Sequence, residues 1–351
     1  MNDRRCACFL VPAFLFLAGA SALAQEERDM STLITPEAEQ RIEKGYAWLV
    51  ANQNRDGSWG CMLNQAPSTA VTALACLALM SEGSTPDRGD FQKPIQKALR
   101  YILSVAQPTG AITANDVTGL GIVYDHAASV LLLAEIYGMD PAVKNDKDIR
   151  QALVKAIQYL GSIQNVDGGF SAQVGGTSDL PITAMAWNAI RAAHNAGVET
   201  SPVNLEKLLA FVKSCESSGG TFSQYAGSGD GGRMFYPTTA GLRVLVGMGT
   251  GDQKKVREGC EWMIGRQLGA DYGGQISEWD YAGAFFGIQA VFHDRAFFDR
   301  WYPKMRDLLI SIQNPPGFWS IQYCTCCRAY ATAVALILLQ APKKILPMFQ
   351  L

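Results

Sequence analysis

Apolar residues recur along the chain in two alternating kinds of segment, and both kinds have helical spacing. In the first kind one face is apolar and the other carries most of the charge, as in "TPEAEQRIEKGYAWLVANQ" at 35–53. In the second kind nearly every position is apolar, as in "TAVTALACLALM" at 69–80. A helix that is apolar on all sides is buried. The pattern therefore predicts amphipathic outer helices packed around apolar inner ones.

The alternation has a period of about fifty residues and occurs six times. The predicted outer helices are 37–53, 95–107, 149–164, 203–215, 253–267 and 299–313. The predicted inner helices are 69–80, 124–139, 183–197, 238–249, 280–292 and 329–340. We find no alternating segment long enough for a substantial sheet. Because a two-helix unit cannot bury its inner face alone, the six units must stack, and six suffice to close a ring.

Three of the outer helices end in a similar motif, which reads "QNRDGSW" at 53–59, "QNVDGGF" at 164–170 and "QNPPGFW" at 313–319. Glycine supplies the positive φ that ends a helix, and the aromatic residue can pack back over the turn. The glutamine amide can bond the exposed ends of a neighbouring helix. The motif therefore predicts a helix stop and a contact between units.

The first 24 residues have the pattern of a secretory signal peptide. A basic start, "MNDRR", precedes an apolar run, and "ALA" at 22–24 fits a small-x-small cleavage site. We predict cleavage after Ala24 and an exported protein, periplasmic or secreted, without a membrane span. An uncleaved anchor is the alternative, because residues 6–24 almost have the length to cross a bilayer. A short lead at 25–34 then precedes a single helical domain at 35–351.

Charge and cysteine content narrow the function classes. The formal net charge of −2 offers no attraction to nucleic acid or acidic membranes. Cleavage removes Cys6 and Cys8 and leaves seven of the nine cysteines. An odd number means that at least one thiol is free or pairs with another chain. Cys76 and Cys260 lie in apolar helical patterns, and we predict that they are buried core residues.

The remaining cysteines include a cluster, "CTCCR", just before the last inner helix. Its thiols belong to Cys324, Cys326 and Cys327. Three thiols this close can coordinate a soft metal such as zinc, form a disulfide or act in redox exchange. We interpret the cluster as one structural disulfide to a distant cysteine and predict no cofactor. A metal or redox site is the alternative.

The glutamine–glycine–aromatic repeat resembles the repeats of the prenyltransferase and squalene–hopene cyclase superfamily. The segments "YDHAASVLLLAEIYGM", "DLPITAMAWNAIRAAHNAGVE" and "WYPKMRDLLISIQNPPGFW" resemble an exported bacterial branch of it. The resemblance covers residues 35–351 and implies an all-α fold, an α/α toroid of six helical hairpins. Because one architecture hosts unrelated functions, the resemblance assigns no activity by itself.

The family's cyclase motif is incomplete in this chain. Squalene–hopene cyclases protonate an alkene with a DxDD motif, in which crowded carboxylates make one aspartic acid a strong proton donor. In "DLPITA", Asp179 matches the first aspartate, but Pro181 and Ile182 stand where the other two belong. We therefore predict that cyclisation by this route is absent.

The family's zinc site is incomplete as well. Protein prenyltransferases hold zinc with an aspartate, a cysteine and a histidine, and the metal binds a thiolate nucleophile. The corresponding segment, "EWDYAGAFF", offers Glu278 and Asp280 but no cysteine, and Ala331 stands where the histidine belongs. We predict no protein prenylation, and the sequence leaves open whether the chain is an enzyme at all.

The starts of the inner helices carry aromatic and acidic residues, and in a toroid these starts converge on one mouth of the central cavity. The predicted ligand-binding residues are Tyr124, His126, Tyr236, Glu278, Trp279, Tyr281 and Tyr330. The candidate catalytic acids are Asp125, Asp179 and Asp280. Aromatic faces can line a site for an apolar chain or stabilise a cation. The acids have an alternative explanation, because a carboxylate also caps a helix N-terminus.

Three function hypotheses follow. We predict an exported toroid that binds an apolar, isoprenoid-like small molecule or an envelope protein in its central cavity. The first alternative is a divergent cyclase- or prenyltransferase-like enzyme that uses the cavity acids. The second is a metal or redox protein that uses the cluster at 324–327.

Overall fold

The computed structural model describes residues 29–61, 66–114, 121–139, 147–229, 234–273, 276–321 and 327–350. The predicted signal peptide and the first part of the lead lie outside the described residues. Cleavage after Ala24 and export therefore stay predictions. The rest of the lead packs against the fold, where Met30 and Ile34 are buried.

Twelve α-helices in the described residues alternate between an outer and an inner ring, as the sequence pattern predicts. The outer helices are α1 (Pro36–Ala51), α3 (Gln92–Ser104), α5 (Lys147–Ile163), α7 (Leu205–Ser214), α9 (Gln253–Gly265) and α11 (Arg295–Ile312). The inner helices are α2 (Thr69–Met80), α4 (Ile122–Met139), α6 (Leu180–Asn195), α8 (Phe235–Gly247), α10 (Glu278–Val291) and α12 (Arg328–Gln340). The all-α prediction of six helical hairpins is confirmed.

The inner helices form a closed ring. Each contacts the next inner helix along the chain, and α12 contacts α2. Every residue of α2 is buried, since no face of an inner helix is left to solvent. By length and composition α4 passes as a membrane span, but 78% of it is buried within the ring, as expected of a core helix. The molecule is therefore an α/α toroid, as the resemblance implies.

A short antiparallel ribbon joins the first outer helix to the first inner helix. Strands β1 (Trp59–Cys61) and β2 (Ala66–Ser68) pair with Trp59 opposite Ser68. Apart from two isolated bridges, this is the only strand pairing in the described part of the chain. The prediction of no substantial sheet holds there.

The glutamine of each closing motif clamps its own turn to the next outer helix. Gln53 Nε2 donates hydrogen bonds to the carbonyl oxygens of Gly57 and Pro94, each at 2.9 Å. Gln164 makes the same pair of bonds, to Gly168 at 2.9 Å and Asn204 at 3.0 Å. The predicted contact between units is confirmed.

The third clamp closes the ring. Gln313 Nε2 donates to the carbonyl oxygens of Gly317 at 2.9 Å and Arg41 at 2.8 Å. Since Arg41 lies on α1, the last hairpin is bound to the first by the bonds that join successive hairpins elsewhere. The toroid therefore needs no capping repeat.

Replacing Gln313 with alanine should lower the free energy of unfolding by about 1–3 kcal/mol, because two carbonyl oxygens lose their donor. Equilibrium unfolding in urea, followed by circular dichroism, measures the change. The control is Gln151→Ala, since Gln151 is exposed on α5, and its cost should stay under about 0.5 kcal/mol. Equal small losses in both variants would contradict the clamp.

A threonine in the inner helix fixes where the aromatic residue of the motif lies. Trp59 N donates to Thr72 Oγ1 at 2.9 Å, and Thr72 Oγ1 donates to Ser68 O at 2.6 Å. The first of these bonds recurs from Phe170 to Thr183, Phe222 to Thr238 and Trp319 to Thr332. The bond anchors the start of each of these four inner helices against the turn before it.

Candidate functional site

Aromatic side chains from four inner helices lie at the starts of those helices. We define the aromatic mouth as Tyr124 on α4, Tyr236 on α8, Trp279 and Tyr281 on α10, and Tyr330 on α12. The Trp279 and Tyr236 ring centroids are 5.2 Å apart, and Tyr236 stacks on Phe286 at 6.1 Å. The four tyrosines are buried, but Trp279 is partly exposed. A ligand would reach Trp279 first.

The tyrosine hydroxyls of the mouth are buried donors. Burial raises the pKa of Tyr124 to about 12. Burial also raises the pKa of Tyr330, and the neighbouring Tyr124, Tyr236 and Glu278 raise it further. Groups from α4, α8, α10 and α12 therefore lie within interaction distance of one another. The Tyr281 hydroxyl is buried and has no hydrogen-bond partner among the described residues.

The carboxylate of Asp280 is occupied by the start of its own helix. Its Oδ2 accepts from Ser277 N at 2.9 Å and Ser277 Oγ at 2.7 Å, which completes a capping box. Its Oδ1 accepts from Gly269 N at 2.8 Å. Both oxygens therefore stabilise the local backbone.

Asp179 and Asp125 have similar roles. Asp179 Oδ1 accepts from Ile182 N at 3.1 Å, and Oδ2 accepts from Gln224 Nε2 at 2.5 Å. Burial raises the pKa of Asp179, and these two hydrogen bonds oppose the rise. Asp125 Oδ1 accepts from Ala70 N at 3.2 Å, at the start of the neighbouring inner helix α2. The structure thus places all three candidate acids at helix starts, as the capping alternative describes.

Glu278 differs from these acids. It lies in the first turn of α10, is partly exposed, and makes no hydrogen bond or ion pair within the described residues. Its charge contributes to the raised pKa of Tyr330, so it lies near the aromatic mouth. Glu278 is therefore the acid of the predicted set best placed to meet a ligand.

His126 is tied to backbone instead. Its Nδ1 accepts from Ile112 N at 3.0 Å, and its Nε2 donates to Ala156 O at 3.2 Å on α5. Burial lowers the pKa of His126 to about 4, so the ring is neutral at pH 7. The first bond is the one that Thr72 makes in the first hairpin. Nδ1 therefore holds α4 to the turn before it, and Nε2 holds α4 to the next outer helix. An alignment of the inner-helix starts could have shown the first of these bonds.

Cys327 of the cysteine cluster is in a disulfide bond, while Cys324 and Cys326 lie outside the described residues. Cys76 and Cys260 are buried free thiols, as the helical pattern predicts. Within the described ranges, no three histidine, cysteine or acidic side chains are placed to hold a metal ion. A metal or redox role for the cluster stays a prediction.

The sequence reading missed a second group of polar side chains. We define the polar end as Glu135 on α4, Asn188 and Arg191 on α6, Arg243 on α8 and Gln289 on α10. Arg243 Nε donates to Asn188 Oδ1 at 2.8 Å and to Gln289 Oε1 at 3.0 Å. The sequence contains a signal for this group, because each of its residues is a polar position within an apolar inner helix, as Glu135 is in "LLLAEIYGM".

The C-terminal tail covers the polar end. Met348 N, in the short helix Pro347–Phe349, donates to the Glu135 carboxyl at 3.0 Å. A cavity of about 10 Å³ remains, room for about one water molecule. Burial raises the pKa of Glu135 to about 8 and lowers that of Arg243 to about 9. Nearby Arg191 lowers the pKa of Arg243 further.

Comparison with known families and structures fits this geometry. A family model described as the prenyltransferase alpha-alpha toroid domain matches residues 10–201 and 154–277. No curated protein sequence matches the chain.

Solved structures with the same fold include enzymes of different kinds. The type II terpene cyclase MstE from Scytonema, in its apo form, is 14% identical, with 89% of this chain and 100% of that chain covered and a TM-score of 0.61. An MstE variant in complex with geranylgeranyl dihydroxybenzoate is 13% identical, with coverages of 88% and 98% and a TM-score of 0.56. An inactive α-1,6-mannanase variant of Salegentibacter sp., in complex with α-1,6-mannotriose, is 9% identical, with coverages of 90% and 100% and a TM-score of 0.64. At these identities the likeness shows the fold alone.

Proposed function

Because the chain belongs to the prenyltransferase alpha-alpha toroid domain family, we propose that it is an exported protein that binds an apolar, isoprenoid-like ligand at the aromatic mouth. The proposal includes neither squalene-type cyclisation nor protein prenylation, because the motifs for both are incomplete in the sequence. The observation that carries the proposal is the meeting of aromatic side chains from α4, α8, α10 and α12 at one end of the ring.

The chemistry of the mouth suits an apolar chain better than a polar substrate. Aromatic side chains offer large apolar faces, and each Å² of apolar surface removed from water contributes roughly 25 cal/mol. The partly exposed Trp279 offers such a face beside Tyr236. The buried Tyr281 hydroxyl could orient one polar group of the ligand, such as an alcohol.

The hydrogen bonds of the acids argue against catalysis. A cyclase needs a carboxylic acid that is free to give its proton to an alkene, and a glycosidase needs two carboxyl groups beside the scissile bond. Both oxygens of Asp179 and of Asp280 already accept N–H or O–H bonds from the protein. Using either as an acid would break the start of an inner helix.

The fold neighbours support a ligand of this class without assigning it. The MstE variant is in complex with geranylgeranyl dihydroxybenzoate, whose geranylgeranyl group is a long apolar isoprenoid. The mannanase shows that the same fold also accommodates a sugar. The distinction therefore rests on the residues of this chain.

Export is part of the proposal. The basic start, the apolar run and the small-x-small site support a signal peptide. The disulfide at Cys327 supports an oxidising compartment, where such bonds persist.

Replacing Trp279 with alanine should weaken binding of dansyl-labelled geranylgeraniol by about 1–4 kcal/mol, the range for a buried aromatic anchor. Fluorescence titration of the purified protein measures the affinity. The matched control is Trp48→Ala, because Trp48 is also partly buried and packs on one aromatic ring, Phe318, at 5.3 Å. Trp48 lies on the outer helix α1, so its loss should leave the affinity unchanged.

Two results would overturn the proposed site. One is binding of the probe no tighter than to an unrelated helical protein. The other is an equal loss of affinity in the Trp279 and Trp48 variants, which would trace the effect to general loosening of the fold.

A further inference from the structure

Positive charge and unused donors are concentrated at the polar end of the ring. Arg243 uses only Nε in its hydrogen bonds, and Arg191 forms neither a hydrogen bond nor an ion pair within the described residues. Trp187 Nε1 and Asn188 Nδ2 are buried donors that also lack a partner there. A buried donor without an acceptor costs about 1–3 kcal/mol, and an unpaired buried charge costs more.

The unused donors surround one helical glycine. A Cβ built on Gly247 would lie 2.7 Å from Arg243 Nη1, 2.8 Å from Trp187 Nε1 and 3.1 Å from Arg191 Nη1. Three N–H groups from α6 and α8 therefore converge where glycine supplies no side chain. Two guanidinium groups this close repel each other unless a negative charge lies between them.

The carboxyl of Glu135 does not supply that charge. It accepts a hydrogen bond from Met348 N in the tail, and no ion pair joins it to Arg243 or Arg191. Burial raises the pKa of Glu135 to about 8, although the Met348 N–H and the charge of Arg243 both lower it, so the carboxyl is mainly protonated at pH 7. The acceptor oxygens of Asn188 and Gln289 are already used by Arg243 Nε.

We propose that the polar end binds a small monovalent anion, of chloride size, held by Arg191, Arg243 and Asn188, which line one cavity. The cavity of about 10 Å³ fixes the size, because it has room for about one water molecule. A water could accept from two of these donors, but it would bring no negative charge to offset the two guanidinium groups. An open groove of about 340 Å³ adjoins the cavity, because Glu135, Asn195 and Gln350 line both, and it gives the ion a route in.

Bromide, a chloride analogue with an anomalous signal, tests the site directly in crystals of the full mature chain. The expected result is an anomalous peak within hydrogen-bond distance of the Arg191 and Arg243 side chains at about 100 mM bromide. A water or no density there, or a peak that needs molar bromide, would overturn the proposal. This arm uses the unmodified protein and depends on no variant.

Thermal unfolding gives the second readout. In about 100 mM sodium chloride the Tm should exceed that in sodium gluconate of equal ionic strength by about 3 °C or more, because only chloride fits the cavity. Arg191→Gln removes one donor, and Gly247→Ala displaces the guanidinium groups of Arg243 and Arg191, because its Cβ would lie 2.7 Å and 3.1 Å from their Nη1 atoms. Both variants should lose the chloride-dependent rise.

The control is Arg100→Gln, since Arg100 is exposed on the outer helix α3. This variant changes the net charge as Arg191→Gln does, and it should keep the full chloride effect. If the chloride-dependent rise in Tm were equal in all variants, it would be explained by general charge screening, and the proposed site would be overturned. Neither result bears on ligand binding at the aromatic mouth, which lies at the other end of the inner helices.

Discussion

Replacing Gly168 with alanine should lower the free energy of unfolding by about 3 kcal/mol or more. Gly168 belongs to the turn after α5 and has a φ of +91°, which favours glycine. A Cβ there would lie 2.2 Å from the carbonyl carbon and oxygen of Lys207 on α7. Because backbone atoms cannot rotate aside, two outer helices would have to separate. Equilibrium unfolding in urea measures the loss.

The matched control is Gly175→Ala. Gly175 has a φ of +77°, but a Cβ there would meet no atom within 4 Å. That variant carries the conformational strain without the clash, so we expect a cost of about 1 kcal/mol. Equal losses for the two variants would show that the approach to Lys207 is unimportant.

Replacing Glu135 with glutamine should stabilise the protein at pH 8 by a few kcal/mol and change it little at pH 4.5. Burial raises the pKa of Glu135 from 4.5 to about 8, so between these values the folded state holds a proton that the unfolded state releases. The wild type therefore loses stability as the pH rises through this window. At 1.36 kcal/mol per pH unit the ceiling is about 5 kcal/mol. Glutamine does not titrate, and its amide oxygen can still accept from Met348 N.

Urea unfolding at several pH values between 4.5 and 8.5 measures the difference between the Glu135 variant and the wild type. Glu43→Gln is the control, since Glu43 is exposed on α1. Its difference from the wild type should stay flat across this range. A flat difference for Glu135→Gln as well would mean that Glu135 is ionised in the folded protein, paired with the nearby Arg243.

The sequence predicted the helices well because the inner and outer segments differ along their whole length. An error in one position does not change whether a segment is apolar on all sides. The sequence predicted that the glutamine would bond a neighbouring helix, since an amide beside a helix stop has few other partners. It did not predict the acceptors, because they lie far away in the chain, as Arg41 does from Gln313. Only the closed ring brings them together.

The roles of the site residues were harder to predict from the sequence, because the same residue type can serve either packing or ligand binding. His126 lies beside aromatic and acidic residues in the sequence, which made it a candidate for binding. In the structure its ring takes the place of the threonine that accepts a backbone N–H from the preceding turn in four other inner helices. Asp280 could equally have been a free acid, and only the positions of Ser277 and Gly269 decide. Local sequence does not contain those distances.

The polar end was missed for a different reason. The family motifs lie at the starts of the inner helices, whereas the later turns have the apolar composition of a core. Arg243 and Glu135 are charged groups in apolar helices, and a buried charge always requires an explanation. The tail that covers them, at 347–349, carries no motif of its own.

The third clamp, at Gln313, joins the two ends of the described chain into the ring. The short helices Met30–Leu33 and Ala341–Lys343 contact each other, so the two termini of the described chain lie side by side. The joint between the last and first hairpins is made by the same glutamine bonds as two of the joints within the chain, at Gln53 and Gln164. The joint at Gln313 is therefore equivalent to those two, and a circularly permuted chain that begins and ends at either of them should form the same ring.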